Sequence, residues 1–444
     1  PRASMIQTGE AISRHLFSNR HLPDTRPMYH RVYFANLWNR MSPKGQKTFQ
    51  WDLVRGVCDG TGNTLHTTFA LLVAIEFFRL PDGYKALIAS GTSVGMGISF
   101  LYATYAHCLI GRRNVEAAIP VFLSSVCFVA ASLAQDGITF AFLAFIGHVL
   151  FMIRFPLMTQ IYRENYRREN RGQAFGFSVL VASVGSILMV RLGGLYLDGG
   201  MERYRTLYQI IAALVFCGSF AILRIPSDKT PRQSFPNPFN YFSILAKDRA
   251  FCYILFVWSV FGFANLMMIP QRLEYVTQDR YGLSLNPGMV ALIVGAIPEL
   301  VKILLVIPMG WLFDRMNFIV LRIVINIFFG LYMLVYFHAT SIPMLAFGSV
   351  LLGVSFAGGT ISWNLWVTKF AIPSETAKYM AMHTFFNGIR GVLAPVAGYI
   401  IASTDSIQTA SDYSVGLMFV SCLMLAPLIP KGAPFDRQNR LEEG

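Results

Sequence analysis

Five polar residues recur at steps of three and four near the start of the chain: Asp52, Arg55, Asp59, Asn63 and His66. In a helix these steps place the side chains along one face. A face that combines carboxylates, a guanidinium, an amide and an imidazole can bind a polar solute and exchange protons. We interpret Asp52 and Arg55 as a structural pair at one end of the face. Asp59, Asn63 and His66, further along it, are predicted binding residues.

A second acid–base pair, Glu299 and Lys302, stands at a three-residue step in a later apolar segment. Burial raises the pKa of a carboxyl group and a neighbouring cation lowers it, so the protonation of such a group can change with its surroundings. We therefore predict that Glu299 couples proton or ion movement, with Lys302 as its partner and Asp59 as the second candidate. The alternative is a permanent ion pair that only holds helices together.

Polar residues in other apolar segments complete the set predicted to bind a solute: Arg154, Trp363, Asn364, His383, Asn387 and Arg390. Arg154 and Arg390 are expected to anchor a negative group, because a guanidinium donates paired hydrogen bonds to a carboxylate. Three candidate bases, Arg154, Lys302 and Arg390, stand against two acids, Asp59 and Glu299. This balance favours an anionic or zwitterionic solute.

The composition of the whole chain predicts the fold class of the segments that carry these residues. Of the 444 residues, 54% are hydrophobic and 14% are charged, whereas soluble domains average roughly 45–50% and about 25%. An apolar run of about 20 residues can cross a bilayer as a helix. We predict an all-α polytopic membrane protein with twelve transmembrane helices in two pseudo-symmetric six-helix halves. The predicted spans cover residues 51–78, 84–109, 116–134, 138–161, 174–197, 206–223, 250–275, 288–313, 317–338, 342–369, 376–402 and 413–430.

A proline-rich polar segment between spans 6 and 7 divides the chain, and we expect it to be a locally extended linker. The predicted organisation is a basic tail 1–47, a first half 48–224, the linker 225–249, a second half 250–430 and a tail 431–444. 

The distribution of basic residues predicts the orientation of the chain. Of the 37 Lys and Arg residues, we assign 26 to segments on the side of the termini and linker and six to the opposite loops. Such an excess is typical of the cytoplasmic side. We therefore expect an integral protein of the plasma (inner) membrane with both termini in the cytoplasm. The net charge of +13 is explained by topology and anionic lipid, without nucleic acid.

The loop after span 8 carries a Gly, three residues, then Asp-Arg and a turn residue, present as Gly310, Asp314, Arg315 and Asn317. With this loop, the chain resembles the major facilitator superfamily from about residue 50 to 430. In the first half, Thr104 and Cys108 stand where the family has Gly and Asp. The resemblance implies a central cavity between the halves, and it implies that Gly310, Asp314 and Arg315 act on a cytoplasmic gate.

These observations favour a secondary active transporter that moves a small polar solute by alternating access, as a proton- or ion-coupled symporter. The alternative is a transporter-like protein that acts as a receptor or assembly factor, with its cavity filled by bulky side chains. Metal-ligand spacings, nucleophile elbows and phosphate-binding loops are missing from the sequence, so we expect no enzyme, cofactor or metal. The expected partners are a small-molecule substrate, membrane lipid and a coupling proton or ion; the sequence leaves the oligomeric state open.

Overall fold

The structure is a computed structural model that describes residues 37–197, 199–229, 237–269, 271–277, 283, 285, 287–369, 371 and 373–429. This part of the chain contains helices and no β-strand. We label the long helices α1 Pro43–Thr64, α2 Asp82–Leu109, α3 Arg113–Leu133, α4 Gly137–Ile153, α5 Arg168–Leu197, α6 Tyr204–Arg224, α7 Arg249–Met268, α8 Ile297–Arg315, α9 Phe318–Phe337, α10 Ile342–Leu365, α11 Thr376–Thr404 and α12 Ile407–Leu425.

Two of these helices continue beyond the stated bounds. After α1 the chain stays helical through the π-helical segments Leu65–Phe69 and Val73–Phe77. Helix α4 continues as Phe155–Asn165 after a break at Arg154. Pro156 lies in the first turn of this continuation, a position where its missing N–H leaves no intrahelical bond unmade.

Eleven helices in the described residues are long and apolar enough to cross a membrane. Helix α1 is the twelfth: its polar stripe makes it less apolar than the others, but with its continuation it is long enough to span the bilayer. Large apolar side chains such as Leu304, Phe419 and Tyr399 lie exposed on the outside of the bundle, where lipid would cover them. The predicted all-α polytopic class with twelve membrane helices in two halves is confirmed.

The beginning of α1, the end of α6 and the beginning of α7 share one side of the bundle, which we call the linker side. Helices α1–α6 form the first half and α7–α12 the second. The halves meet where α5 packs on α8 and α2 packs on α11. The first contact is a backbone crossing, because a Cβ atom on Gly310 would lie 2.4 Å from the carbonyl oxygen of Gly172. Only two glycines permit helices to approach this closely.

The linker differs in part from the extended segment that we expected. Pro238–Phe242 and Ser243–Lys247 are short helical turns. The first begins where the Asn237 side chain accepts a hydrogen bond from the Phe239 N–H. Phe242 packs against Phe100 of α2 and Phe385 of α11, with ring centroids 5.7 and 5.1 Å away. Aromatic packing against both halves therefore orders this part of the linker, while residues 230–236 lie outside the described chain.

Arg322 corrects the assignment of basic residues to loops. We counted it with the loop between spans 8 and 9, but it lies on α9 and is buried. Its guanidinium carbon stands 3.9 Å from the ring centroid of Trp258 and 4.3 Å from that of Phe261. Cation–π contacts compensate part of the cost of burying this charge. The domain bounds and the orientation remain predictions.

Candidate functional site

A cavity of about 270 Å³ lies between the two halves and is lined by residues of α1, α4, α5, α8 and α10. Its charged lining residues come from both halves: Arg55, Asp59, Arg154, Glu299 and Lys302. The predicted residues Asn63 and Asn364 also line it. The structure therefore brings together two predicted acid–base groups that are far apart in the sequence.

Asp59 is the centre of the wall formed by the first half. Its Oδ2 atom accepts hydrogen bonds from Arg55 of the same helix and from Arg154 of α4, the latter at 2.6 Å. Arg154 also donates to the carbonyl oxygen of Phe151. One carboxylate oxygen thus holds two guanidinium groups at the cavity surface.

Arg55 has a wider set of partners than the structural pair that we predicted. It does pair with Asp52, since its Nε atom lies 2.7 Å from Oδ1. Its Nη2 atom also donates to the Tyr162 hydroxyl at 2.7 Å and to Ser178 Oγ at 3.0 Å. Asp52 is buried behind the wall, whereas Arg55 and Tyr162 line the cavity. Arg55 is therefore a cavity residue that the sequence reasoning missed.

Glu299 and Lys302 form the charged pair of the opposite wall. Lys302 Nζ lies 2.7 Å from Oε1 and 2.6 Å from Oε2 of Glu299. The Glu299 side chain is 35% exposed and that of Lys302 is 15% exposed. In this conformation the pair is formed and partly exposed to the cavity.

The charges around the cavity balance. Among the lining residues, three bases, Arg55, Arg154 and Lys302, stand against two acids, Asp59 and Glu299, so Arg55 takes the place that we expected for Arg390. Asp52, buried behind the wall, supplies the third carboxylate, and each base has a carboxylate partner. An incoming anionic group must therefore compete with protein carboxylates for a cation.

Three predicted binding residues, Arg390, His383 and Asn387, do not line the cavity. Arg390 and His383 lie inside the second half, whereas Asn387 Nδ2 also contacts Met96 Sδ of α2 at 3.1 Å. Arg390 donates to the Trp258 carbonyl at 2.8 Å and to Asn387 Oδ1 at 2.7 Å. His383 is fully buried, and its ring lies 5.4 Å from that of Trp258 and 5.3 Å from that of Trp363. These contacts join α7, α10 and α11, so the residues support the cavity wall without reaching the cavity.

Trp363 and His66 also lie beside the cavity. Trp363 packs edge-to-face on Phe155 at 5.4 Å, and Asn364 next to it donates to the Thr360 carbonyl at 2.9 Å. His66 Nε2 lies 3.3 Å from Thr92 Oγ1. Its ring packs edge-to-face on that of His148 of α4 at 5.2 Å, and it is not among the residues that line the cavity.

The predicted gate residues lie where α8 meets the start of α5. The Asp314 carboxylate accepts hydrogen bonds from the backbone N–H groups of Gly172 at 2.7 Å and Gln173 at 2.9 Å. A carboxylate near a helix N-terminus is favoured by the helix dipole. Arg315 points elsewhere and stacks on Trp311, with its guanidinium carbon 4.6 Å from the ring centroid.

Further hydrogen bonds join the halves on the linker side of the cavity. Side chains of α4 bond the backbone near the turn between α10 and α11: Thr159 to Asn364 O, Arg163 to Ala371 O and Gln160 to Ala377 N. With the bonds of Asp314, they close the linker side of the cavity in this conformation.

Comparison with known proteins agrees with this architecture. The family model of the Major Facilitator Superfamily matches residues 56–395 and 293–444, and the chain belongs to this family. No curated protein sequence matches the chain significantly. The family consists of membrane transporters of small molecules.

Solved structures share the fold at low sequence identity. The human organic anion transporter MFSD10 (TETRAN) has a TM-score of 0.73 and 14% identity, over 86% of this chain and 100% of its own. FucP in the outward conformation has a TM-score of 0.65 and 16% identity, over 85% and 97%. A double tryptophan mutant of XylE has a TM-score of 0.66 and 12% identity, over 86% and 94%.

Proposed function

We propose that the protein is a secondary active transporter that moves a small anionic or zwitterionic solute by alternating access, coupled to protons. The observation that carries this proposal is the cavity between the halves, lined on opposite walls by ion pairs and closed on the linker side. A cavity that opens alternately to either side needs such a reversible closure. FucP, which has the same fold, is described in an outward conformation, and we assign this structure to the same state.

Asp59 is the group that the contacts favour for coupling. Because it holds Arg55 and Arg154, neither guanidinium is free to bind a solute carboxylate while Asp59 is charged. Protonation of Asp59 weakens both bonds and releases a cation toward the cavity. A solute anion and a proton would then bind together and leave together. This order places Asp59 ahead of Glu299, which we ranked first from the sequence.

The opposite wall suits the positive group of a zwitterion. Glu299 is partly exposed and has one cationic partner among the described residues, Lys302, so an ammonium group can approach its exposed side. A solute that spans the cavity would place its carboxylate near Arg154 and its ammonium near Glu299, with Asn63 and Asn364 donating further hydrogen bonds. MFSD10, whose fold is similar, is described as an organic anion transporter, and this supports an anionic group on the solute.

The receptor or assembly-factor alternative predicts a cavity filled by bulky side chains. The open volume of about 270 Å³ and its charged lining support transport instead. Binding tests the proposed class of solute: a monocarboxylate, a zwitterionic amino acid, an amine and a neutral sugar are each added to the purified protein, and its thermal unfolding is measured. At 100 times Kd a bound solute adds about 2.7 kcal/mol of stability. We expect stabilisation by the carboxylate or the zwitterion; stabilisation by the amine alone would contradict the proposal.

Glu299→Gln is expected to change which solute binds and to leave coupling in place. The substitution leaves Lys302 without its partner and adds one positive charge to the cavity. The affinity for a zwitterion should fall about tenfold, while that for a monoanion should rise, as one charge-assisted hydrogen bond is worth roughly 1.5–3 kcal/mol. Isothermal calorimetry with both solutes checks this. If accumulation driven by a pH gradient is lost in Glu299→Gln, the coupling residue is Glu299 and not Asp59.

We also propose that both termini and the linker are cytoplasmic and that the chain lies in the plasma (inner) membrane. The supporting argument is the excess of basic residues on the linker side. In intact cells, a membrane-impermeant maleimide should label a cysteine at Asp405, which is exposed at the opposite end of α11. A cysteine at Arg167, exposed on the linker side, should react only after lysis. The reverse pattern would invert the topology.

A further inference from the structure

Gln160 on the continuation of α4 contributes an unusual bond to the linker-side contact between the halves. Its side chain is fully buried, and its Oε1 atom accepts a hydrogen bond from the Ala377 N–H at 2.8 Å. Ala377 is the second residue of α11, so this N–H has no carbonyl partner within its own helix. The side chain of one half therefore caps a helix of the other half.

Helix α11 does not supply this cap itself. The residue before its first turn, Glu375, makes no capping hydrogen bond with its side chain. Its carboxylate instead pairs with Lys378 at 3.2 Å. The Ala377 N–H is buried, and a buried donor without a partner is costly. Gln160 thus satisfies a group that α11 leaves open.

The pseudo-symmetric contact between the other pair of helices, α8 and α5, shows which group Gln160 replaces. In the second half, Asp314 at the end of α8 bonds the start of α5. The corresponding residue at the end of α2 is Cys108, which would face the start of α11. Its Sγ atom donates to the Thr104 carbonyl of its own helix at 3.3 Å. The first half therefore has no loop carboxylate at the place where the second half uses one.

We propose that Gln160 is a positioning residue that caps α11 in place of this carboxylate, so that one charged cap and one neutral cap hold the linker-side gate closed. The inference rests on the proposed alternating-access function. The orientation of the amide is fixed by its other end, because Gln160 Nε2 donates to Glu164 Oε1. The amide oxygen then points toward the Ala377 N–H.

The cap stabilises the closed gate only. When the halves separate on the linker side, water can bond both the Ala377 N–H and the Gln160 amide, so the bond adds nothing to the open state. A neutral hydrogen bond is weaker than one to a charged group. The neutral cap on α11 is therefore weaker than the charged cap on α5.

Distances between spin labels measure the gate directly. Labels are placed on Arg167→Cys and Ser374→Cys, which are exposed on the linker side, one in each half, after replacement of the six native cysteines. Double electron–electron resonance then gives the open and closed populations. Gln160→Met keeps the side-chain length and removes the cap. We expect it to raise the ratio of open to closed molecules about fivefold.

Two further variants separate the cap from simple packing. Gln46→Met makes the same change at a half-buried amide that donates to the Trp38 carbonyl within the first half, and it should leave the populations unchanged. The exchange Gln160→Glu with Glu164→Gln keeps the bond between the two side chains and gives α11 a charged cap. It should raise the closed fraction above that of the parent, and it tests the cap even if Gln160→Met fails to fold.

Equal populations in Gln160→Met and Gln46→Met would overturn the proposal, as would a lower closed fraction in the exchange variant. The outcome is independent of transport itself. If the populations shift as expected but the parent protein accumulates no solute, the cap stands and the proposed function fails. If solute accumulates and the populations do not shift, the function stands and the cap fails.

Discussion

Asp59→Asn is expected to abolish solute accumulation driven by a pH gradient, while exchange of labelled for unlabelled solute continues. The neutral amide cannot take up the proton that releases Arg154. With one proton per solute, the parent should accumulate about tenfold for each pH unit of gradient, since a tenfold ratio corresponds to 1.4 kcal/mol. In vesicles that contain the variant, the solute inside should reach only the concentration outside. Accumulation and exchange in proteoliposomes measure both quantities.

The control for this prediction is Asn63→Asp combined with Asp59→Asn. It returns a carboxylate to the same face of α1, one helical turn away and still at the cavity, but without the geometry that reaches both guanidinium groups. We expect no recovery of accumulation. Full accumulation by Asp59→Asn alone would transfer the coupling role to another carboxylate.

Gly310→Ala is expected to open the linker-side gate. The new Cβ atom would lie 2.4 Å from the carbonyl oxygen of Gly172, and a backbone atom cannot move aside as a flexible side chain can. Overpacking of this kind costs about 1–3 kcal/mol, which the molecule avoids by separating α5 from α8. The ratio of open to closed molecules should rise at least about fivefold, and transport should slow.

A reporter cysteine at Met158, which lines the cavity, measures this opening by its rate of maleimide labelling from the linker side. Gly295→Ala is the matched control, because a Cβ atom there meets nothing within 4 Å. Faster labelling is expected in Gly310→Ala only. If both variants label at the rate of the parent, the two glycines do not limit the gate.

The sequence was sufficient to predict the helices and the two ion-pair segments. Apolar runs between charge clusters place most of the spans, because membrane crossing fixes their length. Helix α1 begins at Pro43 rather than at residue 51, since its polar start extends the helix beyond the apolar run. The Glu299–Lys302 pair could be predicted from its three-residue spacing alone, because this spacing places both side chains on one face of a helix.

The partners of the buried charges required the structure. Helical spacing shows which residues share a face, but the rotation of each helix is set by packing against its neighbours. For this reason Arg390 was expected at the cavity and lies inside the second half, and Arg55 was expected only to pair with Asp52 but lines the cavity. The cap from Gln160 joins residues 217 positions apart, and no local pattern predicts such a contact.

The most direct test of the account is accumulation of a labelled monocarboxylate and a labelled zwitterionic amino acid by proteoliposomes that contain the protein, with and without an imposed pH gradient. The account predicts accumulation of at least one of them against its concentration gradient, with loss of accumulation when a protonophore dissipates the pH gradient. Folded protein that equilibrates either solute at the same final level with and without the gradient would contradict proton coupling. Failure to move both solutes across the membrane would contradict the transport of an anionic or zwitterionic solute.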